Sequence, residues 1–182
     1  MADSNDAKNE PVMTRAQIGS GAVTLILFGI GYFCGANFFI PASAAFAISY
    51  FLTKTKLCKS TLINAVISLN CGYAIWFLYG ALRMPELNFD NTADPITIVL
   101  LTAMVAIKEY RWAAYTLAVY HLFGLCANVY MITDAVGPLS LYKALTAHIF
   151  IRLVCGGVTV LLIYDWRQVA RQSIQNTENA AP

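Results

Sequence analysis

Apolar residues in this chain come in long runs, and the charged residues gather in narrow belts between them. Runs of about 18 or more apolar residues read as helices that cross a bilayer, because a helix satisfies its own backbone where no water is present. Residues 18–52 contain no charge over 35 positions. As one straight helix they would measure about 52 Å, against a hydrocarbon core of about 30 Å. Gly35, Asn37 and Pro41 lie near the middle and favour a turn, so the run is expected to fold as a hairpin with helices at 18–36 and 39–53. The alternative is one tilted helix kinked at Pro41, which gives five spans in place of six.

Lys54, Lys56 and Lys59 form the next belt, and an apolar run over 61–82 follows and ends at Arg83. The segment 83–94 is acidic, with Glu86, Asp90 and Asp94. Asp94-Pro95 predicts a helix start, with a capping side chain ahead of a residue that needs no N–H. From there the fourth helix reaches only Ile107, which is short for a span unless Thr92 and Ala93 join it. Residues 112–133 make a full span, 134–138 a turn, and 141–166 a last helix.

Charge asymmetry orients these elements. One side of the membrane receives Lys54, Lys56, Lys59, Lys108, Arg111, Arg167 and Arg171, and the other receives Arg83, with Lys143 at its border. By the positive-inside rule the first side is cytoplasmic, and with six spans both termini lie there. Trp112 and Trp166 fall at that interface, as aromatic belts do. The expectation is an all-α integral membrane protein of the plasma or inner membrane. Its six transmembrane helices form three hairpins, 18–53, 61–107 and 112–166, with residues 1–17 as a flexible cytoplasmic tail and 167–182 as a second. Asp3, Asp6 and Glu10 outweigh Lys8 and Arg15 ahead of the first run, so no cleaved signal is expected.

Composition supports this picture: 58% of residues are hydrophobic and 12% charged, an apolar excess over ordinary globular usage. A net charge of +2 divided among several belts is no nucleic-acid surface. Cys34, Cys58, Cys71, Cys126 and Cys155 have no C-x-x-C spacing and sit mostly in apolar runs, which reads as packing rather than disulfides or zinc. Hydrolase elbows, phosphate loops, H-E-x-x-H and dinucleotide fingerprints are missing, and no Asp or Glu is expected deep in a span. The chain is therefore expected to be no enzyme and to hold no metal or cofactor.

The polar residues inside the spans fall on stripes at helical spacing. These are Asn64, Ser68 and Cys71; Ala114, Ala118, His121, Gly124 and Asn128; and His148, Arg152, Cys155, Gly156 and Thr159. Small and polar stripes face other helices in lipid, so these three helices are expected to meet along them. Gly124 and Gly156 are packing positions, and Gly31 and Gly35 form a G-x-x-x-G in the first helix.

Arg152 is the costly residue, because a central Arg in a membrane helix costs at least ~2.5–3.5 kcal/mol. With no carboxylate expected at its depth, its counter-charge is sought among backbone carbonyls, Asn128 and water, an anion, a lipid phosphate, or another subunit. The first functional expectation is a small channel- or carrier-like transport protein, a homo-oligomer in lipid, with a polar path at His148 and Arg152 and near His121 and Asn128. The second is a membrane interaction protein that recognises a partner's helices: an assembly subunit, a toxin-immunity protein or a phage-type factor. A minor third is haem held between His121 and His148.

Overall fold

The computed structural model describes residues 29, 39–58, 60–82, 89–134 and 139–180. Among them all regular structure is helical: α1 (Phe39–Lys54), α2 (Thr61–Leu82), α3 (Phe89–Lys108), α4 (Arg111–Asp134) and α5 (Leu139–Ala180). α1 matches the expected second arm at 39–53, while the proposed helix at 18–36, apart from Gly29 and including Gly31 and Gly35, and the way the first run folds lie outside the described residues.

The helix boundaries follow local chemistry. Lys56 takes a left-handed conformation (φ 53°) just after α1, and Ser60 caps α2, its Oγ accepting from the Leu62 N–H at 3.2 Å. Between α3 and α4 the chain turns in two residues. Glu109 is again left-handed (φ 49°) and donates its N–H to the Val105 carbonyl at 3.1 Å, while the Tyr110 carbonyl accepts from Ala113 and Ala114. Both turns fall where the basic belts were read.

α1 packs on α2, α2 on α3 and α5, α3 on α4, and α4 on α5. Close approach of α1 and α2 depends on Gly72, where a Cβ would lie 2.6 Å from the Pro41 carbonyl oxygen and 3.0 Å from the Ala45 Cβ. Ile63, Val66 and Ile67 of α2 join Ala113, Ala114 and Leu117 of α4 with Leu162 and Ile163 of α5 in one core. A second core gathers Tyr73, Ala74, Ile98, Ala147, Ile151 and Cys155. Large apolar side chains point outward, Ile107 77% and Phe123 73% exposed, while Asn70, His121, Arg152 and Thr159 are buried. Polar inside and apolar outside reverses the water-soluble arrangement and is the arrangement that lipid selects.

Three helical stretches are long and apolar enough to cross a membrane: α2 with 22 residues, α4 with 24, and Leu141–Ser173 of α5 with 33. α1 with 16 residues and the apolar Ala93–Ile107 part of α3 are shorter, so by length and composition the described helices support three spans and not the six expected.

Two boundaries differ from the sequence reading. α3 starts at Phe89, and Pro95 lies inside it, not at its first position. Asp94 does not cap a helix; its carboxylate is engaged by side chains of α4 and α5, and that tertiary contact overrides the local Asp-Pro signal. α5 continues beyond Trp166 to Ala180, 42 residues in all, where a polar tail was expected.

Candidate functional site: a buried ion pair between α3 and α5

The site follows from which faces the helices bury. On α2 the buried stripe is Ile63, Val66, Asn70 and Tyr73, spaced three and four apart so that all lie on one face. Cys71 of the expected Asn64, Ser68 and Cys71 stripe packs against the same core. Asn64 turns to α1, where its Nδ2 donates to the Ser49 carbonyl at 3.3 Å and Thr53 Oγ1 at 3.0 Å. Ser68 donates to the Asn64 carbonyl of its own helix at 2.8 Å. The stripes of α4 and α5 do bring their residues together: Ala114, His121, Arg152, Cys155 and Thr159 are buried.

Arg152 forms an ion pair with Asp94, its Nη2 donating to Asp94 Oδ2. The other carboxylate oxygen, Oδ1, accepts from the Tyr120 hydroxyl. Arg152 thus meets a carboxylate of its own chain, where none was expected at its depth. Asp94 lies 14 residues before Lys108 at the end of α3, and Arg152 lies 14 before Trp166 within α5, about 21 Å along the helix in each case. Starting α3 at Asp94 had placed this carboxylate at the membrane surface.

Aromatic rings enclose the charge. The Tyr73 and Tyr120 ring centres each lie 5.6 Å from Arg152 Cζ, within cation–π range. On the α4 side the guanidinium lies against the backbone at Gly124, where any Cβ would overlap it. The side chains of Arg152 and Asp94 are 5% and 20% exposed. Arg152 Nε and Nη1 are buried and have no hydrogen-bond partner among the described residues.

Both histidines sit nearby. His121 Nε2 is 2.6 Å from Asn70 Oδ1, and Asn70 Nδ2 donates to the Val66 carbonyl at 2.8 Å. That amide orientation makes His121 Nε2 the donor and leaves Nδ1 as an acceptor, buried and without a partner among the described residues. A Cβ at Gly156 would lie 3.2 Å from the His121 Cβ, so the two helices approach closely there. His148 Nδ1 is 3.1 Å from the Tyr73 hydroxyl, and the His148 ring centre lies 4.8 Å from that of Trp76 and 5.0 Å from that of Phe77. The Tyr73 ring packs against both imidazoles, at 6.3 Å from His121 and 5.9 Å from His148, which does not favour a haem between them. Asn128 is half-buried, and the described residues include no hydrogen bond to its side chain.

Arg152, His148 and His121, read from the sequence, thus converge around residues that were not: Asp94, Tyr120, Tyr73 and Asn70. The signal for Asp94 was present in the shortness of 95–107 and in the need of Arg152 for a counter-charge. Comparison with protein-family models, curated proteins and solved structures gives no match for this chain.

Proposed function

We propose that this chain is a multi-pass membrane protein of carrier or channel type whose polar path is centred on Asp94 and Arg152. The observation that carries the reading is the ion pair itself. Buried charges are costly in lipid even when paired, and ionisable side chains inside membrane segments mark solute or ion pathways. Here the pair sits where α2, α3, α4 and α5 meet, ringed by Tyr73, Tyr120, His121 and His148. The basic belts support cytoplasmic termini by the positive-inside rule, and a hairpin in the first run would support six spans.

The test is flux. Purified protein in liposomes is expected to pass a small solute or ion, and Arg152→Gln and Asp94→Asn are each expected to lower the rate at least tenfold. Flux equal to that of empty liposomes sinks the reading. A second reading, a membrane interaction protein, is favoured by the tight closure of α4 on the guanidinium at Gly124, which resembles a static bundle. It predicts no flux, with a partner protein recovered in mild detergent and lost on Arg152→Leu.

A further inference from the structure

We infer that Arg152 is the binding group for a small carboxylate anion, and that Asp94 occupies its place as an exchangeable internal ligand. This deepens the transport reading and rests on it.

The argument begins with an asymmetry in the pair. Both oxygens of Asp94 are engaged, Oδ2 by Arg152 and Oδ1 by the Tyr120 hydroxyl. The guanidinium uses Nη2 alone toward Asp94, while Nε and Nη1 are buried with no partner among the described residues. Arginine and carboxylate prefer a two-pronged contact, with two parallel N–H···O bonds. In this pair Oδ1 bonds the Tyr120 hydroxyl and makes no bond to Nε or Nη1. A free carboxylate can offer both oxygens to two guanidinium nitrogens.

Other features fit an exchange of ligands. The rings of Tyr73 and Tyr120, each 5.6 Å from Arg152 Cζ, hold the cation by its own charge, whichever anion faces it. Gly124 lets the guanidinium lie against α4, which closes that side to an anion, so the proposed binding is an exchange with Asp94. At about 21 Å from Lys108, Asp94 lies within the length of a hydrocarbon core of about 30 Å, past its midpoint. A cation is disfavoured because both carboxylate oxygens already accept from donors and the Arg152 charge lies beside them. Of the other groups facing the pair, Tyr73 is engaged with His148, and His121 has spent Nε2 on Asn70. A planar carboxylate is chosen over a spherical anion because the guanidinium fork matches two oxygens, and because Asp94 shows that a carboxylate fits there.

The experiment uses the full chain purified in mild detergent, with sodium acetate replacing sodium chloride at constant ionic strength and the unfolding temperature as readout. The wild type is expected to show a saturable rise. Asp94→Asn is expected to lower the half-saturating acetate concentration at least tenfold, because removing an internal competitor raises the competent fraction. Tyr120→Phe acts oppositely: it frees Asp94 to grip the guanidinium with both oxygens and raises that concentration severalfold. Arg152→Gln abolishes the response. A response kept in Arg152→Gln, no saturable response in the wild type, or Asp94→Asn and Tyr120→Phe shifting in one direction overturns the inference. If Asp94→Asn does not fold, the wild type and Tyr120→Phe decide. Flux in liposomes separates the two ideas: acetate binding without flux overturns the transport reading and leaves the site, and solute flux without an acetate response does the reverse.

Discussion

The α1–α2 contact and the centre between α3, α4 and α5 answer the same problem, how to join helices in lipid, with opposite materials. Without a hydrophobic driving force between helices, association rests on close packing and on polar bonds. At α1–α2 the closeness is backbone against backbone, with Gly72 against the Pro41 carbonyl, and the polar bonds are neutral, from Asn64 to Ser49 and Thr53. At the centre the closeness is backbone against a side chain, with Gly124 against Arg152, and the principal bond is between charges. The first contact is rigid because neither backbone can yield. The second is adaptable because a guanidinium on a long stem can move, and it is the one that holds the candidate site.

The largest test of this contrast removes one charge. Arg152→Leu leaves the part-buried Asp94 carboxyl without its partner, and the expected loss is about 3–5 kcal/mol, read as a drop in unfolding temperature in detergent. Adding Asp94→Asn to it is expected to restore most of that loss, because both charges are then gone. Recovery of nothing would mean that the pair is not the main interaction of Arg152.

Next come the two glycines. Gly72→Ala drives a Cβ into a carbonyl and is expected to cost about 1–3 kcal/mol as overpacking. Gly124→Ala meets the movable guanidinium, so it is expected to cost less than Gly72→Ala in the same unfolding assay. The reverse order would overturn the rigid-versus-adaptable distinction.

Asn70→Ala probes the neutral rim of the centre. It strands the His121 Nε2–H in a buried position, at about 1–3 kcal/mol by the usual cost of an unsatisfied donor, while Asn70→Asp is expected to retain the acceptor and most of the stability. Smallest is a gain: Glu109→Gly relieves a left-handed non-glycine residue between α3 and α4, with an expected stabilisation of up to about 1 kcal/mol.

Much of this was legible in the chain. The helical class, the course of α2 and α4, and the inward faces of α4 and α5 follow from apolar runs and from polar residues spaced three and four apart. Arg152, His121 and His148 announce themselves because a polar side chain in an apolar run needs a reason. Asp94 did not, because Asp-Pro carries a strong local meaning as a helix start, and a counter-charge 58 residues away in sequence cannot be weighed by any local rule. On α2 the direction of Asn64 was misread for a similar reason: Asn64 and Asn70 look alike in sequence, and only the positions of α1 and α4 decide that the first turns to Ser49 and Thr53 and the second to His121. Tyr73 and Tyr120 read as ordinary apolar residues until the cation they enclose is known.

The length of α5 has a mechanical meaning. From Arg152 to Ala180 it runs 28 residues without a break, about 42 Å of continuous rod at 1.5 Å per residue. A tilt of roughly 10° about Arg152 would sweep the far end through about 7 Å at that length. Any exchange of ligand at the guanidinium that rocks the helix is thereby magnified into a displacement at the opposite tip, so a spectroscopic label near the end of α5 can serve as a pointer to events at a charge buried far from it.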